Sequence, residues 1–233
     1  MIQAAHITSE IAKLGHEGRY RLGELEFQSN VSNHAWAIYY WLDGELVSGA
    51  DWGGLERHDG PGSARELATY DADGQYRYNK GQCNLRRGWV MLLASADDLL
   101  QAMDQFYPAA VGLFLAHRQG SMEIGHLRAK LERQSGMYRA ARTLSDRGAQ
   151  GVISDVCGAG KQCARRILWQ LDARTPLQDS AARSYNGIIG DLPEQAAIPL
   201  LCREACNHFV SACVQAAKAE AAGQASRETP SDN

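Results

Sequence analysis

Residues 88–107 read Gly-Trp-Val-Met-Leu-Leu-Ala-Ser-Ala-Asp-Asp-Leu-Leu-Gln-Ala-Met-Asp-Gln-Phe-Tyr, and the spacing of the apolar residues changes within this stretch. The unbroken apolar run at residues 89–93 predicts a buried β-strand. From Ser95 on, apolar residues recur every three or four positions, which predicts a helix that begins there. The chain therefore passes here from a strand-rich part to a helix-rich part.

Strand signals dominate the sequence before this stretch. Apolar residues approximate an alternation from Tyr20 to Phe27, and residues 35–42 are rich in aromatic and β-branched side chains. Asp43-Gly44 is typical of a hairpin turn, so these segments are predicted to pair antiparallel. Residues 76–79 are a further strand candidate.

Helix signals dominate the sequence after it. The capping box Ser63-Ala-Arg-Glu66 predicts one earlier short helix that ends near Tyr70. Later helices are expected at residues 109–117, 122–134, 137–147 and 164–171.

The order of a sheet followed by helices predicts an α+β fold, with an N-terminal antiparallel sheet and helices and a helical, cysteine-rich C-terminal region. The predicted division is an antiparallel-sheet region at 1–95, a helical region at 96–149, a cysteine-bearing region at 150–220 and a disordered tail at 221–233.

Composition and charge exclude several classes of protein. The 233 residues carry 24 Lys and Arg against 27 Asp and Glu, a net charge of −3, so neither nucleic acid nor an anionic membrane is the expected partner. The longest apolar run is far shorter than a membrane span, and residues 1–15 lack the pattern of a secretory signal. We therefore expect a cytoplasmic protein whose oligomeric state the sequence leaves open.

Five of the six cysteines lie within 57 residues near the C-terminus. Two pairs stand out, Cys157-Gly-Ala-Gly-Lys-Gln-Cys163 and Cys202-Arg-Glu-Ala-Cys206. In a reducing cytoplasm such pairs indicate metal ligands, reactive thiols or core residues before they indicate disulfides. We expect the first pair on a loop that enters a helix and the second pair at positions i and i+4 of one helix, which would make a cage of four thiolates.

Spacing and charge favour a 4Fe-4S cluster in this cage. The five residues between Cys157 and Cys163 are a wide gap for zinc, whereas a larger cluster tolerates wider spans. Helix N-termini and nearby cations would offset the negative charge of the cluster; the cations are Lys161, Arg165, Arg166 and Arg203. A zinc site and a metal-free set of core thiols remain as alternatives.

Three further residues carry weaker signals for metal binding. Cys213 and Cys83 are expected to be packed side chains, because a lone cysteine behaves as a small hydrophobe. His208 would face away from Cys206 on a helix and is not expected to be a ligand.

Three groups of motifs resemble one bacterial family, the DR2241-type 4Fe-4S proteins. The residues are Asn84-Leu-Arg-Arg-Gly-Trp89, then Phe106-Tyr-Pro-Ala-Ala110 with Gln134-Ser-Gly-Met-Tyr-Arg139, and finally the two cysteine pairs with Arg166-Ile-Leu-Trp169. The resemblance covers about residues 20–218. It implies that Cys157, Cys163, Cys202 and Cys206 bind a 4Fe-4S cluster.

The resemblance also implies a biological setting, because the iron–sulfur module of this family is often fused to a CbiX-like sirohydrochlorin cobaltochelatase domain. The expected role is that of a redox or regulatory accessory in tetrapyrrole metallation, with a tetrapyrrole chelatase or an electron-transfer protein as partner. No βαβ repeat of a chelatase domain occurs in the chain, so no catalytic residues are predicted. The alternative is an interaction domain that the metal only staples together.

Other polar and aromatic residues were candidates for ligand binding. Four arginines could bind the carboxylate groups of a tetrapyrrole, although solvated side chains are the simpler interpretation. These arginines are Arg86, Arg87, Arg139 and Arg142. Asp51, His58 and Asp59 could act as acid or base, although a solvated loop is favoured. The aromatic residues Trp36, Tyr39, Tyr40 and Trp41 favour packing over stacking on a planar ligand.

Overall fold

A computed structural model describes residues 18–31, 34–47, 52, 54–157, 163–172 and 197–228. The chain divides into two compact units. The first unit comprises Met1–Ser121 and Tyr185–Leu200, and the second comprises Met122–Ser184 and Leu201–Asn233. Strands and helices both contribute, so the α+β class is confirmed.

The described strands are β1 (Arg19–Leu22), β2 (Leu25–Val31), β3 (His34–Tyr40), β4 (Glu56–Asp59), β5 (Trp89–Leu93), β6 (Arg166–Ile167), β7 (Ala197–Ile198) and β8 (Leu201–Cys202). The described α-helices are α1 (Ala64–Thr69), α2 (Ala96–Phe106), α3 (Ala110–Arg118), α4 (Leu127–Glu132), α5 (Asp146–Val156) and α6 (Asn207–Glu228).

A six-stranded sheet in the order β4-β5-β3-β2-β1-β7 organises the first unit. The four central strands are antiparallel to one another, whereas β4 and β7 pair parallel to them at the two edges. All five residues of β5 are buried, and its Trp89 stacks on Phe106 of α2 with ring centroids 5.3 Å apart. The strand-to-helix passage at residues 88–107 thus forms the centre of this unit, as predicted.

The hairpin turn lies at Gly23-Glu24 between β1 and β2, and the prediction of a hairpin at Asp43-Gly44 was wrong. Gly23 has a φ of +58°, and a Cβ there would lie 2.7 Å from the Tyr107 ring, so the position requires glycine. Asp43 instead ends a 3-10 turn and is 2% exposed. Its carboxylate accepts a hydrogen bond from Gly88 N–H at 2.8 Å, so it anchors the start of β5.

Two other local predictions for the first unit need correction. Helix α1 is present, but Ser63 makes no side-chain capping bond because it ends a 3-10 turn and is itself helical. Residues 76–79 form no strand, and Tyr76 makes a single bridge with Tyr70. By contrast, Ser95 caps α2 as predicted, since its hydroxyl accepts a hydrogen bond from Asp98 N–H at 3.1 Å.

The second unit differs from its predicted run of helices. The helix expected at 137–147 is a 3-10 segment at Gly136–Thr143, and α5 begins only after Ser145. The Ser145 hydroxyl accepts a hydrogen bond from Gly148 N–H at 2.9 Å, a capping signal that the sequence analysis missed. Helix α4 is shorter than the expected 122–134.

The helix expected at 164–171 was wrong, since this segment contains β6. Its backbone bonds to both neighbouring segments: Leu168 N–H donates to Cys202 at 3.0 Å, and Gln170 N–H donates to Gly125 at 3.2 Å. These tertiary hydrogen bonds override the helix propensity of the segment. Trp169 then packs on Phe209 of α6, with ring centroids 5.2 Å apart.

Helix α6 extends to Glu228, into the stretch at 221–233 that was expected to be a disordered tail. The alanines of this stretch have high helix propensity and prolong the helix without a periodic apolar face. None of the helices in the described ranges combines the length and apolar character needed to cross a membrane.

Buried charges in the first unit form a network around Glu24, which is 1% exposed. Both carboxylate oxygens accept from Leu85 N–H at 3.3 Å, and Arg77 lies 3.6 Å away. Burial raises the pKa of Glu24 to about 7, although Arg77 opposes the shift. The folded state therefore holds a proton on Glu24 more tightly than the unfolded chain does.

This raised pKa predicts a pH-dependent stability of the first unit. Because the folded pKa of about 7 lies above the ordinary glutamate pKa of 4.5, the stabilisation is present below pH 4.5 and is lost as the pH rises through 7. Glu24→Gln should remove this dependence, so the variant gains about 3 kcal/mol relative to the wild type between pH 5 and pH 8. Hydrogen exchange of the β5 amides, with both proteins compared at each pH, measures the difference.

The matched control is Glu66→Gln, which replaces an exposed glutamate of α1. It should leave the pH dependence unchanged. A Glu24→Gln variant with the wild-type pH dependence would show that Glu24 titrates normally.

Candidate metal centre

All four predicted ligands lie in the second unit, each at a junction between elements. Cys157 is the residue that ends α5, and its N–H donates to Ile153 at 2.8 Å. Cys163 lies three residues before β6, and Cys202 is the last residue of β8. Cys206 directly precedes α6.

The parallel pairing of β6 with β8 fixes Cys202. Ile167 is its register partner, and Leu168 N–H donates to the Cys202 carbonyl at 3.0 Å. The Cys202 thiol donates to the Glu204 carbonyl at 3.0 Å. The backbone on either side of Cys202 is therefore held by hydrogen bonds before any metal is considered.

Cys206 acts as the cap of α6. Phe209 N–H donates to Cys206 Sγ at 3.5 Å, and Val210 N–H donates to the Cys206 carbonyl at 3.0 Å. The positive end of the α6 dipole thus points toward this sulfur.

Two expectations about the path of the chain were wrong. Cys202 and Cys206 do not share a helix, because the chain leaves β8 and bends before α6 begins. Cys157 lies at the C-terminal end of a helix, not before an N-terminus, so the helix dipole offers no favourable charge there. Residues 158–162, with the predicted cation Lys161, lie outside the described residues.

The structure nevertheless brings the four thiols together. Each of the six possible pairs among Cys157, Cys163, Cys202 and Cys206 interacts electrostatically. Burial and the neighbouring thiols raise the pKa of Cys157 well above its usual range. Burial, with Cys206 as the second cause, raises the pKa of Cys202 to about 11.

These shifts determine what the thiols can do. A nucleophilic cysteine needs a lowered pKa, so the raised values of Cys157, Cys163 and Cys202 do not suit covalent catalysis. Four neighbouring thiolates are stable only if a cation compensates their charge, which is what a metal centre supplies. Within the described ranges, no three His, Cys, Asp or Glu side chains lie close enough to bind a single metal ion.

A buried hydrogen-bond donor faces this cluster of thiols. Trp169 is 1% exposed, and its buried indole N–H is directed at the Cys202 thiol without a well-formed hydrogen bond to any described residue. The indole lowers the pKa of the Cys202 thiol and so opposes the effect of burial. A sulfur-rich cluster held by the four thiols would offer this N–H an acceptor, so the surroundings fit such a group. Trp169 lies in one of the family-like motifs, but a tryptophan in an apolar segment gives no specific signal in the sequence that its N–H faces a cysteine.

One of the four predicted cations acts directly on the thiols. Arg165 opposes the pKa increase at both Cys163 and Cys202, and its backbone N–H bonds to Cys163. Arg166 and Arg203 are exposed.

Cys213 is packed as predicted, whereas Cys83 is half-buried and His208 is exposed. Cys213 is fully buried in the apolar core of the second unit, and burial raises its pKa to about 12. Its thiol interacts with Cys157 and Cys206. Cys83 lies in the first unit, and His208 is exposed on the first turn of α6.

The arginines considered for tetrapyrrole binding do not form one site within a unit. In the first unit, Arg86 contacts Glu56 at 2.5 Å and Arg87 contacts Asp43 at 3.0 Å, so both face protein carboxylates. Arg139 and Arg142 lie in the second unit, where Arg142 donates to the Gln134 carbonyl.

The remaining candidates for ligand binding have ordinary structural roles. His58 lies 3.4 Å from Glu56, and Asp59 pairs with Arg57; Asp51 lies outside the described residues. Buried Tyr39 donates to Glu26 at 2.8 Å. The other aromatic side chains contact neighbouring rings or cations: Trp36 lies against Tyr20 and Phe27, Trp41 against Tyr40 and Arg21, and Tyr40 against Arg87.

Two family models match the chain, and their boundary falls close to the boundary between the units. A domain described as a 4Fe-4S iron-sulfur cluster binding domain matches residues 119–215. A domain described as the DR2241 stabilising domain matches residues 8–118. The protein therefore carries a 4Fe-4S cluster-binding domain, and all four candidate cysteines fall inside it.

One solved structure has a similar fold, the crystal structure of DR2241 from Deinococcus radiodurans. That protein is described as a multi-domain protein with structural similarity to chelatases and with two additional novel domains. The TM-score is 0.70 at 22% sequence identity, over 93% of this chain and 42% of that chain. The present chain thus spans less than half of the length of DR2241. No curated protein matches the chain.

If the four thiols hold the cluster, the loss of any one of them should abolish cluster binding. Replacing Cys157, Cys163, Cys202 or Cys206 by Ser should remove most of the iron and the broad absorbance near about 400 nm from anaerobically purified protein. Cys213→Ala is the matched control, because it removes a neighbouring buried thiol from the same core. It should keep the iron and lose about 1 kcal/mol of stability. Iron retained in one of the four Ser variants, or lost in Cys213→Ala, would contradict this ligand set.

Proposed function

Because the chain belongs to the DR2241-type 4Fe-4S protein family, we propose that it is an accessory module of tetrapyrrole metallation whose cluster has a redox or regulatory role. Cys157, Cys163, Cys202 and Cys206 would hold the cluster. When bound, the cluster supplies one-electron transfer. The reducing cytoplasm, where thiols stay available to iron, is the compartment in which we expect it.

The observation that carries the redox role is the indole N–H of Trp169. This buried N–H acts on the Cys202 thiol, so a cluster bound through Cys202 would bring sulfur acceptors within its reach. Hydrogen bonds to the sulfurs of an iron–sulfur cluster are a recognised determinant of its reduction potential. They stabilise the more negatively charged, reduced state, and Arg165 acts in the same direction.

The proposed partner is a tetrapyrrole chelatase. The solved relative is described as similar to chelatases, and this chain spans 42% of that relative, so the chelatase-like part would be a separate protein or domain. Arg86 and Arg87 already face Glu56 and Asp43, so a tetrapyrrole carboxylate would have to displace these ion pairs. We therefore assign binding of the tetrapyrrole to the partner, and electron transfer or regulation to this chain.

A purely structural role is the second candidate, and the placement of the thiols favours it. The end of α5, the segment before β6, the end of β8 and the start of α6 each provide one thiol. A cluster bound to all four would cross-link these elements and contribute folding free energy.

Metallation rates distinguish the two candidates. The rate of cobalt insertion by a CbiX-like sirohydrochlorin cobaltochelatase is measured in the presence of the wild-type protein, with its cluster held either reduced or oxidised. The same measurement is made with Trp169→Phe. Trp169→Phe keeps an aromatic ring against Phe209 but removes the indole N–H. The variant should therefore retain iron, while the midpoint potential of its cluster falls by roughly 40 mV, the equivalent of about 1 kcal/mol. Trp36→Phe in the first unit is the matched control and should leave the potential unchanged.

The accessory role predicts that the rate of cobalt insertion differs severalfold between the reduced and oxidised protein. It also predicts that Trp169→Phe shifts the potential at which the rate changes. A rate that is equal in both redox states would exclude the redox role and support the structural one.

A further inference from the structure

A cleft of about 340 Å³ opens in the second unit beside the candidate metal centre. Its walls include the segment before α4, one face of α4 and the bend that follows β8. Its lining includes Glu123, His126, Ala129, Arg133, Arg203 and Glu204. His126, Ala129 and Arg133 follow the helical spacing of three and four residues, so they line one wall.

The backbone at Gly125 forms the cleft and ties it to the bend. Gly125 N–H donates to the Arg203 carbonyl at 2.8 Å. A Cβ at Gly125 would lie 3.1 Å from Glu204 Cβ, so the two segments approach each other closely. An ion pair of 3.1 Å between Lys130 Nζ and Glu204 holds α4 to the same bend. The cleft is therefore built from hydrogen-bonded backbone and a fixed ion pair.

The charges in the cleft are unbalanced. Within the described residues, neither the Arg133 nor the Arg203 guanidinium has an ion-pair or hydrogen-bond partner. Lys130 neutralises Glu204, whose side chain is half exposed, so Glu123 is the only remaining carboxylate among the lining residues. Two guanidinium groups beside one carboxylate leave a net positive site, and guanidinium binds carboxylate and phosphate groups bidentately.

We propose that this cleft binds a small polyanion, a molecule with at least two carboxylate or phosphate groups. Pockets for drug-sized ligands span about 300–1,000 Å³, and this cleft lies at the low end of that range. Its volume therefore suits a ligand well below the size of a tetrapyrrole. Arg133, at the end of α4, and Arg203, in the bend after β8, would hold the acidic groups. This binding site goes beyond the proposed accessory function and does not depend on it.

The position of the cleft links the polyanion to the cluster. Arg203 follows Cys202 directly, and the Cys202 thiol donates to Glu204 of the cleft wall at 3.0 Å. A cubane with four thiolates carries a charge of about −2, which becomes one unit more negative when the cluster accepts one electron. A bound polyanion is therefore repelled more strongly by the reduced cluster, and by linkage it makes the cluster harder to reduce.

Binding of two probes to the cluster-loaded protein tests the site. Citrate and inorganic pyrophosphate are titrated calorimetrically against the anaerobic, oxidised protein and against protein reduced with dithionite, a one-electron donor. Arg133→Gln and Arg203→Gln should each weaken binding at least tenfold while iron content stays unchanged. Arg139→Gln, an exposed arginine of the 3-10 segment outside the cleft, is the matched control and should bind like the wild type.

Binding of citrate alone identifies a polycarboxylate site, and binding of pyrophosphate alone identifies a phosphate site; either supports the proposal. The reduced protein should bind the probe severalfold more weakly than the oxidised protein. If neither probe binds, or if Arg133→Gln leaves binding unchanged, the cleft is not a polyanion site. Equal affinity in both redox states would overturn the link to the cluster and leave the proposed accessory function to its own test.

Discussion

Electrostatic repulsion among four neighbouring thiolates is the constraint on which the second unit depends. Burial and mutual proximity raise the pKa values of Cys157, Cys163 and Cys202, so without a cation these groups stay protonated. Only a positively charged metal centre makes four adjacent thiolates favourable. Loading of the cluster then releases protons, which couples metal binding to pH and to folding of this unit.

The two units handle buried charge in different ways. The first unit balances its own charges: the Glu24 carboxylate accepts backbone N–H groups and faces Arg77, and Asp43 anchors Gly88 N–H. The second unit instead places four neighbouring thiols together, and burial and proximity raise the pKa values of Cys157, Cys163 and Cys202. A bound metal centre would compensate the charge of these groups as thiolates. This division agrees with the separate matches of the two halves to a stabilising domain and a cluster-binding domain.

The sequence predicts those elements whose signals are local. The apolar run in β5 and the Ser95 cap of α2 determine their structure by themselves, and both predictions are confirmed. The segment at 164–171 has helix propensity, yet hydrogen bonds to Gly125 and Cys202, distant in sequence, make it extended. For the same reason, spacing identifies the two cysteine pairs as candidate ligands, whereas it does not predict their positions at helix ends and strand ends. The role of Trp169 depends on its approach to the Cys202 thiol in space, which the sequence does not show.

The central claim is that the second unit holds one 4Fe-4S cluster, and the most direct test is the metal and sulfide content of the anaerobically purified wild-type protein, combined with Mössbauer spectroscopy. The account predicts four iron and four acid-labile sulfide per chain, with the iron in a single cubane environment. One zinc per chain without sulfide, or no metal at all, would contradict it.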